Sequence, residues 1–219
     1  MTGKTDTTLN LIAQLSAAAP AHKRAVKPRR LALYLLAVFT VYALGAQAIT
    51  GLRPDVTAKL TDIWFLAEIT SLLCLALASA AAGIMLMAPD AFQKPTLLKL
   101  PYIVFAVIMG LIISQYTMAI DITHPVVGIE TQGLECALCL AGLSAIPSAL
   151  MFAVIKHGAT VHPFQAGAFS VFTAAGIGCL TLRLAEQTDN MMHLALWHYL
   201  PTLLFAMLGA FIGKLVLKW

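Results

Sequence analysis

Six stretches of the chain run for about twenty residues with almost no charge, and short polar or proline-containing segments separate them. They cover approximately Leu31–Thr50, Ile63–Met87, Tyr102–Ile120, Leu134–Ile155, Phe164–Leu184 and Leu194–Leu217. A helix rises about 1.5 Å per residue and bilayer hydrocarbon is about 30 Å thick, so one crossing takes roughly 20 apolar residues. The pattern predicts an all-α, polytopic membrane protein. Residues 31–219 form a compact six-transmembrane-helix bundle, and residues 1–30 form a polar N-terminal segment. The connections are too short to hold an extramembranous domain.

Within the N-terminal segment, Asp6 can cap a short amphipathic helix over TTLNLIAQLSAAA, with Leu9, Ile12 and Leu15 along one side. Pro20 ends it. The AHKRAVKPRR that follows reads as an extended basic tether, because Pro28 disfavours helix at Lys27. The segment has no apolar h-region of the signal-peptide kind and is expected to stay in the mature protein. In lipid, helices associate by close backbone approach, so small residues four apart mark contact seams. Ala166, Ser170, Ala174 and Gly178 form one such stripe in the fifth span, and Gly209 and Gly213 another in the sixth. Pro147 and Pro201 predict bends in the fourth and sixth spans.

Composition agrees: 60% of residues are hydrophobic and 11% charged, against about 25% charged in soluble domains. The net charge of +4 is unevenly spread. With the N-terminus inside, the cytoplasmic side holds Lys4, Lys23, Arg24, Lys27, Arg29, Arg30, Lys94, Lys99, Lys156, Lys214 and Lys218. Only Arg53, Lys59 and Arg183 fall on the other side, so eleven of fourteen basic residues obey the positive-inside rule and both termini are cytoplasmic. Basic charge thus reads as topology and contact with an anionic lipid bilayer, with no direct nucleic-acid partner.

The candidate chemistry gathers on the non-cytoplasmic side. GLECALCLAG (133–142) places Cys136 and Cys139 at the head of the fourth span, and Cys179 lies at a depth close to that of Cys139, so a disulfide between the fourth and fifth spans is open. Cys74 lies deeper and reads as a packing residue. Glu135, Glu186, His193 and His198 offer further ligands on the same side. A single CxxC without a second pair or fixed histidine spacing is no zinc signature, so neither a metal site nor a cofactor is assigned. Packing, a redox or metal response, and catalysis all stay open for these cysteines. Glu68, one to two turns into the second span, needs protein or water around it, and Arg183 is at the right depth to pair with it. The helix middles are almost uniformly apolar, which argues against a transporter or channel.

Several short motifs occur in a telling order: LIAQL in the first helix, PRR before the first span, GLRPD (51–55), APD (88–90), a cysteine opening the fourth span, KHGATVHPFQAG (156–167), and WHYLP with GAFIGKLVLKW at the end. In these the chain resembles the negative-regulator-of-sigma-F family, six-helix bacterial inner-membrane anti-sigma factors for extracytoplasmic-function sigma factors. The resemblance implies that the N-terminal segment holds such a sigma factor away from RNA polymerase, with Leu9, Ile12 and Leu15 laid in a groove. By residues alone that helix could equally rest on the membrane surface. The resemblance further implies that the bundle receives a periplasmic or envelope stress signal and is not an enzyme. Family members carry a periplasmic cysteine pair; Cys136 matches the first position, while the second falls near Glu186, leaving Cys139 and Cys179 as substitutes. A membrane thiol-disulfide oxidoreductase using Cys136 and Cys139 is the alternative, disfavoured because every loop lacks cysteine. A small transporter or lipid-binding bundle is a third reading.

Overall fold

A computed structural model describes residues 28–89, 91–93, 95–120 and 133–217, with residues 10, 13 and 14. Leu9, Ile12 and Leu15 lie outside the described residues. Those described form helices α1 (Pro28–Thr50), α2 (Val56–Lys59), α3 (Ile63–Met85), α4 (Pro95–Ile120), α5 (Leu134–Ile155), α6 (Pro163–Ala185), α7 (Met191–Leu194) and α8 (Leu200–Val216). A π-helical turn, Ala195–Tyr199, joins α7 to α8, so the three run as one span. Six helices are long and apolar enough to cross a membrane. Large apolar side chains such as Leu33, Val41, Ile113, Leu208 and Leu215 cover the outside of the bundle, a surface that suits lipid and not water.

Local chemistry sets the helix ends. Gly51, with φ +79°, turns the chain out of α1 in the left-handed region that glycine enters without penalty. Asp62 caps α3 by accepting from the Trp64 amide at 3.0 Å, and Pro163 opens α6 with a preset φ. Two spans differ from the sequence expectation. The third begins at Pro95 and not near Tyr102, because Leu97, Leu98 and Leu100 extend the apolar pattern while Lys99 stays exposed. The sixth begins at Met191, where Asn190 accepts from the Met192 and His193 amides. Pro201 falls in the first turn of α8, directly after the π turn, where a missing N–H is accommodated.

α6 is the hub. It packs along α8, α3 and α5 and also meets α1, while α4 rests mainly on α3. Its apolar window is 83% buried, against 17–39% for the other five spans, so it faces protein on all sides. That explains why small residues surround it. A Cβ on Gly167 would lie 2.1 Å from the Gly209 carbonyl oxygen in α8, one on Gly176 would meet Ala76 of α3 at 3.0 Å, and one on Gly178 would meet Leu140 of α5 at 2.9 Å. The predicted stripe of Ala166, Ser170, Ala174 and Gly178 is buried throughout, but the tight crossing with Gly209 and Gly213 runs through Gly167 beside it. Cys74, expected to pack, lies exposed on the bundle's outer surface instead.

Candidate functional site

Because the spans alternate in direction, the end of α1, the start of α3, the end of α6 and the starts of α5 and α7 meet at one end of the bundle. The buried charged and histidine side chains among the described residues collect there in two groups, joined by the five-residue strap 186–190 between α6 and α7.

The first group is a buried ion-pair network. Glu68 (1% exposed) accepts from Arg183 Nε at 2.9 Å and from the Tyr199 hydroxyl. The remaining nitrogens of Arg183 donate to Asp189 Oδ1 at 3.0 Å and to the Thr188 carbonyl at 3.0 Å. Arg53, also 1% exposed, grips Asp55 with two bonds of 2.7 and 2.9 Å and reaches Asp189 at 3.2 and 3.3 Å. Its amide donates to the Leu184 carbonyl at 2.9 Å, and Lys59 adds a contact of 2.7 Å to Asp189. Both guanidiniums lie over the Phe65 ring, that of Arg53 at 5.4 Å and that of Arg183 at 4.9 Å from its centroid. Burial works to raise the pKa of Asp189, but Arg53, Lys59 and Arg183 outweigh it and hold the carboxyl well below its ordinary value. The bonds to Asp55 raise the pKa of Arg53; burial opposes the rise and Asp189 adds to it. Asp189 therefore ties the strap to the turn that ends α1.

The second group contains Cys136, Glu186, His193 and His198. His193 Nε2 lies 3.1 Å from Glu186 Oε1, and His198 Nε2 lies 3.0 Å from Oε2. The Cys136 thiol points to Oε1 at 3.7 Å. One donor atom from each of the four residues falls within 4.8 Å of the others. Burial would raise the Glu186 pKa, but His198 and then His193 hold it below its ordinary value. Asn190 orients the start of α7, and Trp197 lies against Gly133, where a Cβ would come within 2.0 Å of the indole.

Of the sequence-predicted residues, Cys136 and Glu186 come together, as do Glu68 and Arg183. Cys139 is exposed, and Cys179 is buried against Thr202 Oγ1 at 3.3 Å; all four cysteines are free thiols, with no bridge between α5 and α6. Glu135 is exposed at the start of α5. Sequence reasoning missed Arg53, Asp189 and Tyr199 as members of the ion-pair network. The usable signal was that Arg53 and Arg183 are two of only three basic residues on their side, flanking apolar spans where an unpaired charge is disfavoured.

Fold and site together define a six-span helical membrane protein whose buried charged and histidine side chains, among the described residues, gather at one end. The family model described as negative regulator of sigma F matches residues 15–219, and the chain belongs to this family. Membership indicates negative regulation of a sigma factor. No curated protein and no solved structure matches the chain.

Proposed function

We propose that the protein is an anti-sigma factor of the bacterial inner membrane, with both termini cytoplasmic. Its N-terminal segment sequesters an extracytoplasmic-function sigma factor, and a signal at the periplasmic end of the bundle releases it. It acts by binding and not by catalysis. The family match over residues 15–219 carries the reading. The charge distribution supports the orientation: among the described residues, Arg29, Arg30, Lys99, Lys156 and Lys214 share one end with no carboxylate. The other end holds Arg53, Lys59 and Arg183 among six carboxylates. The positive-inside rule then puts the start of α1 in the cytoplasm.

The same geometry supports a route for the signal. α1 packs mainly on α6, and the turn at its outer end is tied to the strap through Arg53 and Asp189 and to the end of α6 through the Leu184 carbonyl. A displacement of the strap therefore acts on the helix that leads to residues 1–27. The test is co-purification of a sigma factor with the full chain and with a chain lacking residues 1–20; capture by the full chain alone is expected, and equal capture by both would refute the tether. Leu9→Glu and Ile12→Glu should each release the partner, because a carboxylate in an apolar groove has no compensating partner. Unchanged repression of sigma-dependent transcription in both variants would discard that contact face.

A further inference from the structure

His193 and His198 are five residues apart, and on an ordinary helix they would point about 140° away from each other. The intervening turn is π-helical, with i→i+5 hydrogen bonding that stacks residues five apart on one side. As a result the two imidazole rings face one pocket, their centroids 5.6 Å apart. Such turns are rare inside helices and recur at functional sites. Two other elements complete the pocket: Cys136 from the first turn of α5 and Glu186 from the first position of the strap.

His198 is the decisive member. It is 1% exposed, and its Nε2 is buried, aimed at the cluster, and without a hydrogen bond to any described residue. The Glu186 carboxylate lies at ion-pair distance, 3.0 Å, but misaligned for a hydrogen bond. Buried polar atoms are paired in the great majority of cases, so a nitrogen held this way lacks the partner that a bound ion would supply.

The geometry points to a single binding site for a divalent cation of the zinc type, formed by Cys136, Glu186, His193 and His198. One sulfur, two imidazole nitrogens and one carboxylate oxygen suit a borderline-soft ion; calcium and magnesium require oxygen-only shells. Tetrahedral bonds of about 2.0–2.3 Å place donor atoms roughly 3.3–3.8 Å apart. The four atoms here lie within 4.8 Å of one another, so the site closes by a contraction of about 1 Å that side-chain rotation supplies. On binding, the Cys136 Sγ–H proton leaves to solvent and the sulfur–metal bond forms; no electron transfer is involved. Glu186 opens the strap that Asp189 anchors to Arg53, so contraction pulls on the link to α1. Only that last consequence rests on the proposed anti-sigma function.

The experiment uses the full-length protein, purified in detergent and stripped by a chelator, titrated with zinc in competition with a chromophoric chelator and separately with cobalt. One equivalent of zinc is expected, together with a sulfur-to-cobalt charge-transfer band. Cys136→Ser and His198→Asn should each weaken zinc by about 100-fold or more, since even residues behind a ligand cost 10–100-fold. Cys136→Ser is close to isosteric and keeps the fold testable by gel filtration; it should abolish the cobalt band, while Cys139→Ser should change neither readout. No retained zinc in the wild-type chain, or equal affinity in wild type and both ligand variants, would overturn the site. Because zinc is read on the isolated protein, the result stands apart from any capture of a sigma factor.

Discussion

Removing the Glu68 carboxylate tests whether the buried ion-pair network holds the bundle together. Glu68 is the sole described carboxylate on the Arg183 Nε and accepts the Tyr199 hydroxyl, and all three side chains are nearly inaccessible. Breaking one partner out of a buried ion pair costs about 3–5 kcal/mol, because the other charge stays desolvated. Arg183 keeps Asp189 and the Thr188 carbonyl, which places the charge loss low in that range. The stranded Tyr199 hydroxyl adds a further penalty of about 1–3 kcal/mol, so Glu68→Ala should destabilise by roughly 4 kcal/mol in total. At about 2–4 °C per kcal/mol for a chain of this size, thermal unfolding in detergent should shift down by roughly 8–16 °C. Glu68→Gln keeps one acceptor oxygen and puts an amide NH2 in place of the other, so it retains one of the two bonds and its shift should be smaller than that of Glu68→Ala. Combining Glu68→Leu with Arg183→Met removes both buried charges and should leave the protein more stable than Glu68→Ala. An unfolding temperature for Glu68→Ala indistinguishable from wild type, or a double variant worse than the sum of its parts, would refute the reasoning.

Two further outcomes follow from the packing and the charges. Gly167→Ala should separate α6 from α8 and lower the unfolding temperature sharply, since its Cβ would sit 2.1 Å from a backbone oxygen. Gly142→Ala, with nothing within 4 Å, should be neutral or slightly stabilising; equal effects would dismiss the seam. Asp189 and Glu186 titrate below their ordinary values, so the stability they supply is complete above the unfolded carboxylate pKa of about 4. It is lost as pH falls through their lowered folded values. Unfolding temperature measured from pH 7 downward should therefore fall below about pH 4, and Asp189→Asn should flatten that fall. An unchanged acid limb in Asp189→Asn would exclude Asp189 as its source.

The six spans, the uneven basic charge and the pairing of Glu68 with Arg183 were legible in the linear order of residues. A bilayer demands an unbroken apolar run of fixed length, and it tolerates a carboxylate only beside a partner at the same depth. Those constraints act along the chain, one helix at a time. Other features depend on how the helices come together. That α6 is the hub follows from which faces its neighbours cover, and four-residue spacing alone could not tell Gly167 from the adjacent Ala166 stripe. Cys136, Glu186, His193 and His198 lie on three separate elements, and the histidines share a side only because the backbone widens into a π turn. Likewise Asp189, in a loop that reads as ordinary polar sequence, becomes the common partner of Arg53, Lys59 and Arg183 once α1, α2 and α6 end at the same level. Sequence decided what must lie in the membrane, because hydration is a property of each side chain. Tertiary structure decided which polar groups meet, because distance between them exists only after the helices have packed.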